Sequence, residues 1–318
     1  MRSRSSSVNH RKGGEKSAGK VIRMFFDIHA HMYKYPYPTE TGQYLMSTPE
    51  QVAERYRELE ITGAAILPIL GPELYVPQSV GEVIDMANAS DGKHVAFCNV
   101  DPRALTNSSD APLGILLEHY KNLGCRGVGE VMPNLPWEDP LLQNLLKCTE
   151  KAGLPLLFDM TGRLGCSYGI YDDPGMPQLE RCLDRYPNLI FIGHGPAFWA
   201  EIAVLRSPKD RLAYPNYPVQ EEGRVAKLLR KYPNLWVDLS AGSGYNAITR
   251  DEAFGCWFLE EFQDRIYYGT DICSVDQFEA PLTKLSGWLD QMAEEGRISY
   301  DAYVKISRGN ALRLLEQE

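Results

Sequence analysis

Six histidines occur in the chain, and two of them stand two residues apart in Phe25-Phe26-Asp27-Ile28-His29-Ala30-His31. Residues at that spacing on a β-strand point the same way, so both imidazoles can face one cation. Neutral imidazole is a good ligand for zinc, iron, nickel and related ions. Taken alone, the pair reads equally well as two histidines satisfied by backbone or water. Four further residues tip the balance: Glu130, Asp159, His194 and Asp271, each at or near the C-terminal end of an otherwise apolar run. A buried carboxylate without a partner is costly. These strand ends plus the histidine pair therefore imply a shared cation or a dense hydrogen-bond network.

The chemistry such a set supports is activation of water, because a divalent ion lowers the pKa of bound water from about 15.7 towards 7. Asp271 would ligate the ion and accept a proton from that water. His194 would stabilise the oxyanion or pass the proton to the leaving group. Secondary candidates are Arg163, placed to meet a substrate carboxylate, and Trp199 and Tyr33 as pocket walls. Arg103 is weaker, and His10, His94 and His119 belong to no constellation.

These residues need elements to position them. Short apolar runs alternate with longer amphipathic stretches, which signals βα units and a parallel sheet. The runs predict eight strands: 24–30, 64–70, 95–100, 126–132, 154–160, 189–193, 235–239 and 265–271. Thr48-Pro49-Glu50-Gln51 and Asp139-Pro140 read as helix starts. Gly63, Gly124 and Gly153 read as helix stops just before strands two, four and five. Tyr186-Pro187-Asn188-Leu189 recurs as Tyr232-Pro233-Asn234-Leu235, each copy where a helix should end and a strand begin. Eight units with right-handed crossovers close into a (β/α)8 TIM barrel, whose active sites lie at the C-terminal strand ends. The competitor, an open doubly wound sheet, is weakened because no GxGxxG follows any strand. Two long connections, 32–47 and 201–220, are rich in Tyr and Pro and read as lids or interface arms.

Length and charge agree. One barrel takes roughly 250 residues, and the chain has 318. The net charge is −9, of which the first 23 residues contribute +6, leaving −15 for the rest. An acidic body argues against a nucleic-acid surface, and no apolar run is long enough to span a membrane. Residues 1–23 read as a disordered basic tail and 24–318 as the barrel. Seven scattered cysteines without CxxC read as reduced thiols in a cytoplasmic protein. The expected partners are a small-molecule substrate and a second copy of the chain, as a homo-oligomeric dimer.

The histidine pair after strand one, Phe-Ile-Gly-His-Gly-Pro at 191–196, Tyr-Tyr-Gly-Thr-Asp at 267–271 and Gly-Asn-Ala-Leu-Arg-Leu-Leu at 309–315 resemble the amidohydrolase superfamily. The resemblance is nearest to the branch of amidohydrolase-2 enzymes and aminocarboxymuconate-semialdehyde decarboxylase. It spans about residues 24 to 315 in strand order. It implies His29, His31 and Asp271 as metal ligands, with His194 as a ligand or as the acid/base beside the metal. Glu130 resembles a carboxylate that bridges two metals in some members. One departure stands out: members usually carry His at the end of strand five, where this chain has Asp159. The expected cofactor is a divalent ion, Zn2+ first, one or two in number, although an oxygen-richer set also suits an ion other than zinc, such as Mn2+, or two ions. The resemblance implies a metal-dependent hydrolase of an amide, ester or lactone. The alternatives are a non-oxidative decarboxylase or hydratase, and a catalytically reduced barrel with a binding role.

Overall fold

The computed structural model describes residues 23–38, 42, 44–74, 76, 78–165, 167–273 and 281–316. The expected tail lies outside the described residues except for Arg23, whose guanidinium pairs with Asp290 at 3.2 Å and Glu294 at 3.1 Å. Six cysteines are free thiols, and Cys166 lies outside the described residues. Among the described residues no helix is long and apolar enough to cross a membrane.

Eight parallel strands form the barrel: β1 Phe25–Ala30, β2 Ile61–Ile66, β3 His94–Ala96, β4 Val128–Val131, β5 Leu156–Thr161, β6 Phe191–His194, β7 Leu235–Asp238 and β8 Ile266–Tyr267. β1 pairs with β2 and β2 with β3, while β4 through β8 pair in sequence order. Two bridges join these halves. Cys98 pairs with Val128 and Ala30 with Ile272. The second seam is laced by Ile28 N–H to the Tyr268 carbonyl at 3.0 Å and Asp271 N–H to the His29 carbonyl at 2.7 Å. Every predicted strand is present, several with shifted ends. β2 begins at Ile61 because Glu60, at φ 57, turns the chain out of the preceding helix. Gly63, expected as a helix stop, therefore sits inside β2, where a Cβ would collide with the Lys93 carbonyl oxygen.

Helices cover the outside where the caps predict them. α1 (Pro49–Glu58) opens with a capping box between Thr48 and Gln51, and α2 (Pro140–Ala152) is capped by Asp139 and stopped by Gly153 at φ 68. The repeated Tyr-Pro-Asn-Leu is structurally equivalent in its two copies. Tyr186 N–H bonds the Cys182 carbonyl and Tyr232 N–H the Leu228 carbonyl, each closing a helix before β6 and β7 respectively. The interior of the barrel is apolar at its lower end, where Phe26, Ile28, Leu67, Leu157, Ile192 and Tyr267 pack together. A larger apolar layer lies between strands and helices.

Both long connections close at their bases. Met32 bridges Ser47, and Ala203 bridges Glu222. The second excursion carries a 3-10 turn at Pro208–Leu212.

Candidate metal centre

The strands deliver His29, His31, Glu130, Asp159, His194 and Asp271 to one place at the C-terminal mouth. Nε2 of His29 and Nε2 of His31 are 3.1 Å apart. Neither nitrogen needs the other, because each ring spends its Nδ1–H elsewhere. His29 Nδ1 donates to Asp238 Oδ2 at 2.7 Å, and His31 Nδ1 donates to the Leu67 carbonyl at 2.8 Å. Those partners set the tautomer and leave both Nε2 lone pairs converging on one point. Facing that point are Glu130 Oε2, at 3.6 and 3.5 Å from the two nitrogens, and Asp271 Oδ1, at 3.5 and 3.3 Å.

A second group shares Glu130. His194 Nε2 lies 3.9 Å from Glu130 Oε1, 4.0 Å from Asp159 Oδ2 and 3.9 Å from Asp271 Oδ2. In each of the two groups, His29–His31–Glu130–Asp271 and Glu130–Asp159–His194, one ligand atom per residue falls within 4.8 Å of the others. The donors therefore fit one ion in the first group and a second beside it, with Glu130 facing both.

Local backbone features aim these side chains. Between Asp27 and Ala30, β1 has one residue more than β2 has between their partners Ala64 and Ile66. β4 does the same against β5, where Val128 pairs with Leu156 but Val131 with Phe158. A bulge of this kind re-aims a side chain. Phe26 and Ile28 fill the barrel below, and the extra residue lets His29 and His31 also turn inward above them. Asp271 adopts φ 56, a left-handed conformation that Asp tolerates better than most residues and that recurs at functional sites.

The electrostatics follow from packing anions and imidazoles into one largely buried cluster. Burial works against charge on His31, but hydrogen bonding to Asp271 and Glu130 outweighs it and lifts the pKa to about 9. Burial likewise opposes charge on His29, yet the Asp271 and Glu130 charges push its pKa well up. Glu130 is held well below the usual carboxylate range: burial alone would raise it, and the neighbouring His29 reverses the sign. Asp159 goes the other way, driven up by burial and by the Glu130 charge. Among the described residues the Asp159 carboxylate has no hydrogen-bond donor. Gly169 and Gly195 pack against it, and a Cβ on Gly195 would stand 2.9 Å from its Oδ2.

Asp238 is the residue that sequence reasoning missed. It ends β7, and its Oδ2 accepts from His29 Nδ1 and lies 3.2 Å from His194 Nδ1. Ser240 Oγ donates to the same oxygen at 2.6 Å and stands 3.1 Å from both Nδ1 atoms. The signal was present, since Asp238 is a carboxylate at the end of an apolar strand like the others. Asp27 was missed too. It is fully buried and accepts from the Thr270 N–H at 2.9 Å, the Thr270 hydroxyl and the Tyr56 hydroxyl, fixing the residue before Asp271.

The substrate candidates divide. Tyr33 is buried with its hydroxyl donating to the Val76 carbonyl at 2.7 Å. Trp199 is buried with its indole N–H donating to the Asp238 carbonyl at 3.0 Å. Both polar edges are used in packing behind the mouth. Arg163 lines a pocket beside Asp159. Arg103 is tied into Glu73 and Asp101. Tyr168 lines the same pocket as Arg163, and partial burial together with the Asp159 and Asp271 charges raises its phenol pKa and that of the half-exposed Tyr214.

The sequence profile of the amidohydrolase family matches residues 26–317. Comparison with curated proteins finds no match. Among solved structures, an uncharacterized TIM-barrel protein from Bordetella bronchiseptica is 17% identical, with a TM-score of 0.64 over 92% of this chain and 98% of that one. The 5-carboxyvanillate decarboxylase of Sphingomonas paucimobilis is 12% identical, with a TM-score of 0.59 over 93% and 100%. A probable 2-pyrone-4,6-dicarboxylic acid hydrolase from Acinetobacter baumannii is 12% identical, with a TM-score of 0.56 over 92% and 99%. At such identities the likeness is one of fold.

Proposed function

Because this chain belongs to the amidohydrolase family, we propose that it is a metal-dependent hydrolase of a small molecule, acting on an amide, ester or lactone. The observation that carries this reading is the convergence of the His29 and His31 Nε2 atoms, 3.1 Å apart, on a point flanked by Asp271 and Glu130. Those four residues would hold a first divalent ion, Zn2+ or Mn2+, and Glu130, Asp159 and His194 would hold a second. A bound ion supplies Lewis acidity, polarising a carbonyl and acidifying water. Asp271 is the most open of the carboxylates, and its Oδ atoms take a proton from water and return it to the leaving group. His194, oriented through Nδ1 by Asp238, would serve that second ion through Nε2; where only the first ion is held, its protonated Nε2 donates to the developing oxyanion instead.

Decarboxylation of a small carboxylic acid is the second reading. Its support is that two structures of the same fold bear the names 5-carboxyvanillate decarboxylase and 2,6-dihydroxybenzoate decarboxylase. A catalytically reduced barrel would follow only if no metal bound. Elemental analysis of the purified protein tests the metal. A panel of lactones, esters and aromatic acids, scored in parallel for hydrolysis and for carbon dioxide release, separates the two reactions.

A further inference from the structure

Beside Asp159 the mouth opens into a pocket of about 300 Å³, walled by the segment after β5 and by the excursion after β6. Pockets of this size accept small molecules. Asp159 is its acidic edge. The remaining polar side chains are two guanidinium donors, Arg163 and Arg211, and three hydroxyls that can donate or accept, Thr161, Ser167 and Tyr168. A cation centre thus adjoins a wall that favours anions.

Arg211 carries the argument. It is 3% exposed and immobilised, with Nε donating to Glu201 Oε1 at 2.5 Å and Nη1 to the Asp172 carbonyl at 2.6 Å. Glu201 is fixed in turn by the Gly175 N–H at 2.8 Å. Yet Nη2 of Arg211 is buried without a hydrogen-bond partner. A guanidinium brings five N–H groups in a rigid fork, and buried donors are rarely left unused. The bonds to Glu201 and Asp172 fasten the 3-10 turn to the segments after β5 and β6, and they leave Nη2 over. The other walls, Leu212, Pro196 and Ala197, are apolar and suit a carbon skeleton.

We propose that this pocket receives a carboxylate of the substrate, remote from the reacting bond, against Arg211 and Arg163. The substrate class is then a small carboxylic acid whose reacting carbonyl or carboxyl group reaches the histidine cluster. This rests on the hydrolase reading for the identity of the reacting group, but the carboxylate pocket is separately testable.

The test is calorimetric titration of benzoate, benzamide and inorganic phosphate into the full chain, metal-loaded and after chelation, with metal content measured alongside. Benzoate should bind, and benzamide should bind about tenfold more weakly or less. Arg211→Lys loses the planar fork and should weaken benzoate about tenfold while metal content holds. Leu212→Trp narrows the pocket without touching the ion pair and should exclude benzoate even if Arg211→Lys folds poorly. Equal binding of benzoate and benzamide, or indifference to both substitutions, overturns the proposal, as does a preference for phosphate. Benzoate binding only to loaded protein and unaffected by either substitution places the anion on the ion and also overturns it. Benzoate binding that tracks Arg211 in a protein that takes up no metal even when metal is supplied keeps the pocket and sinks the hydrolase reading.

Discussion

Asp159 and His194 are register partners across β5 and β6, with Oδ2 4.0 Å from Nε2. They stand level at the barrel mouth, yet no hydrogen bond joins them. A buried carboxylate left without a donor is stable only when protonated or beside a cation.

That relationship sets opposite expectations for Asp159→Asn with and without metal. In metal-free protein the change replaces a carboxyl that burial already pushes towards its neutral form, and should leave the thermal midpoint unchanged or raise it. In titration it should lower metal affinity by about tenfold or more. Unchanged affinity would falsify a role for Asp159 at the ion. Asp159→His places an imidazole there and should favour zinc.

Asp238→Asn removes the acceptor that orients His29 and His194 together. Metal affinity should fall by roughly 10–100-fold, while the fold persists. A titration by competition with a chelator reads this directly, and wild-type affinity in the variant would show that the histidines hold their tautomers without it.

His29→Ala and Asp271→Ala should each abolish metal retention and activity with the barrel intact, since both residues sit where the fold houses function. Full metal content in either variant would mean that the ligand assignment is wrong.

His94 gives a pH prediction away from the metal. Burial and nearby Lys93 lower its pKa to about 4, and its Nδ1 accepts the Ala64 N–H at 3.2 Å. The unfolded chain binds a proton near pH 6.5 and the folded chain does not until about pH 4. Its contribution to stability is therefore present above 6.5 and lost as pH falls towards 4, on the order of 2–3 kcal/mol. His94→Gln keeps an acceptor that does not titrate. Denaturant melts at pH 4 and pH 7 should show a smaller acid loss in the variant, and an identical loss would exclude the mechanism.

The alternation of β and α segments, the caps at Thr48 and Asp139, and the polar ends of strands one, four, five, six and eight were all legible in the sequence. Each depends on neighbours within a few residues: a short continuous apolar run, an oxygen three positions ahead of an amide, a carboxylate interrupting an apolar run. Asp238 was legible by the same rule and was passed over because nothing local distinguishes an orienting carboxylate from a ligand. Its role exists only through His194 and through His29, the latter 209 positions away.

Other features belong to tertiary structure alone. The extra residues in β1 and β4 are defined against β2 and β5, since a bulge is a mismatch between two strands. No single segment encodes it. Gly63 looked like a helix stop because glycine serves both turns and close approaches, and only the nearness of the Lys93 carbonyl selects the second. The burial of Tyr33 and Trp199, and the unspent Nη2 of Arg211, likewise follow from what the closed barrel and its excursions bring against them. Residue type and spacing determine which groups can do chemistry. Which nitrogen is free, which carboxylate lacks a donor and which aromatic faces the mouth are decided by partners distant in the chain.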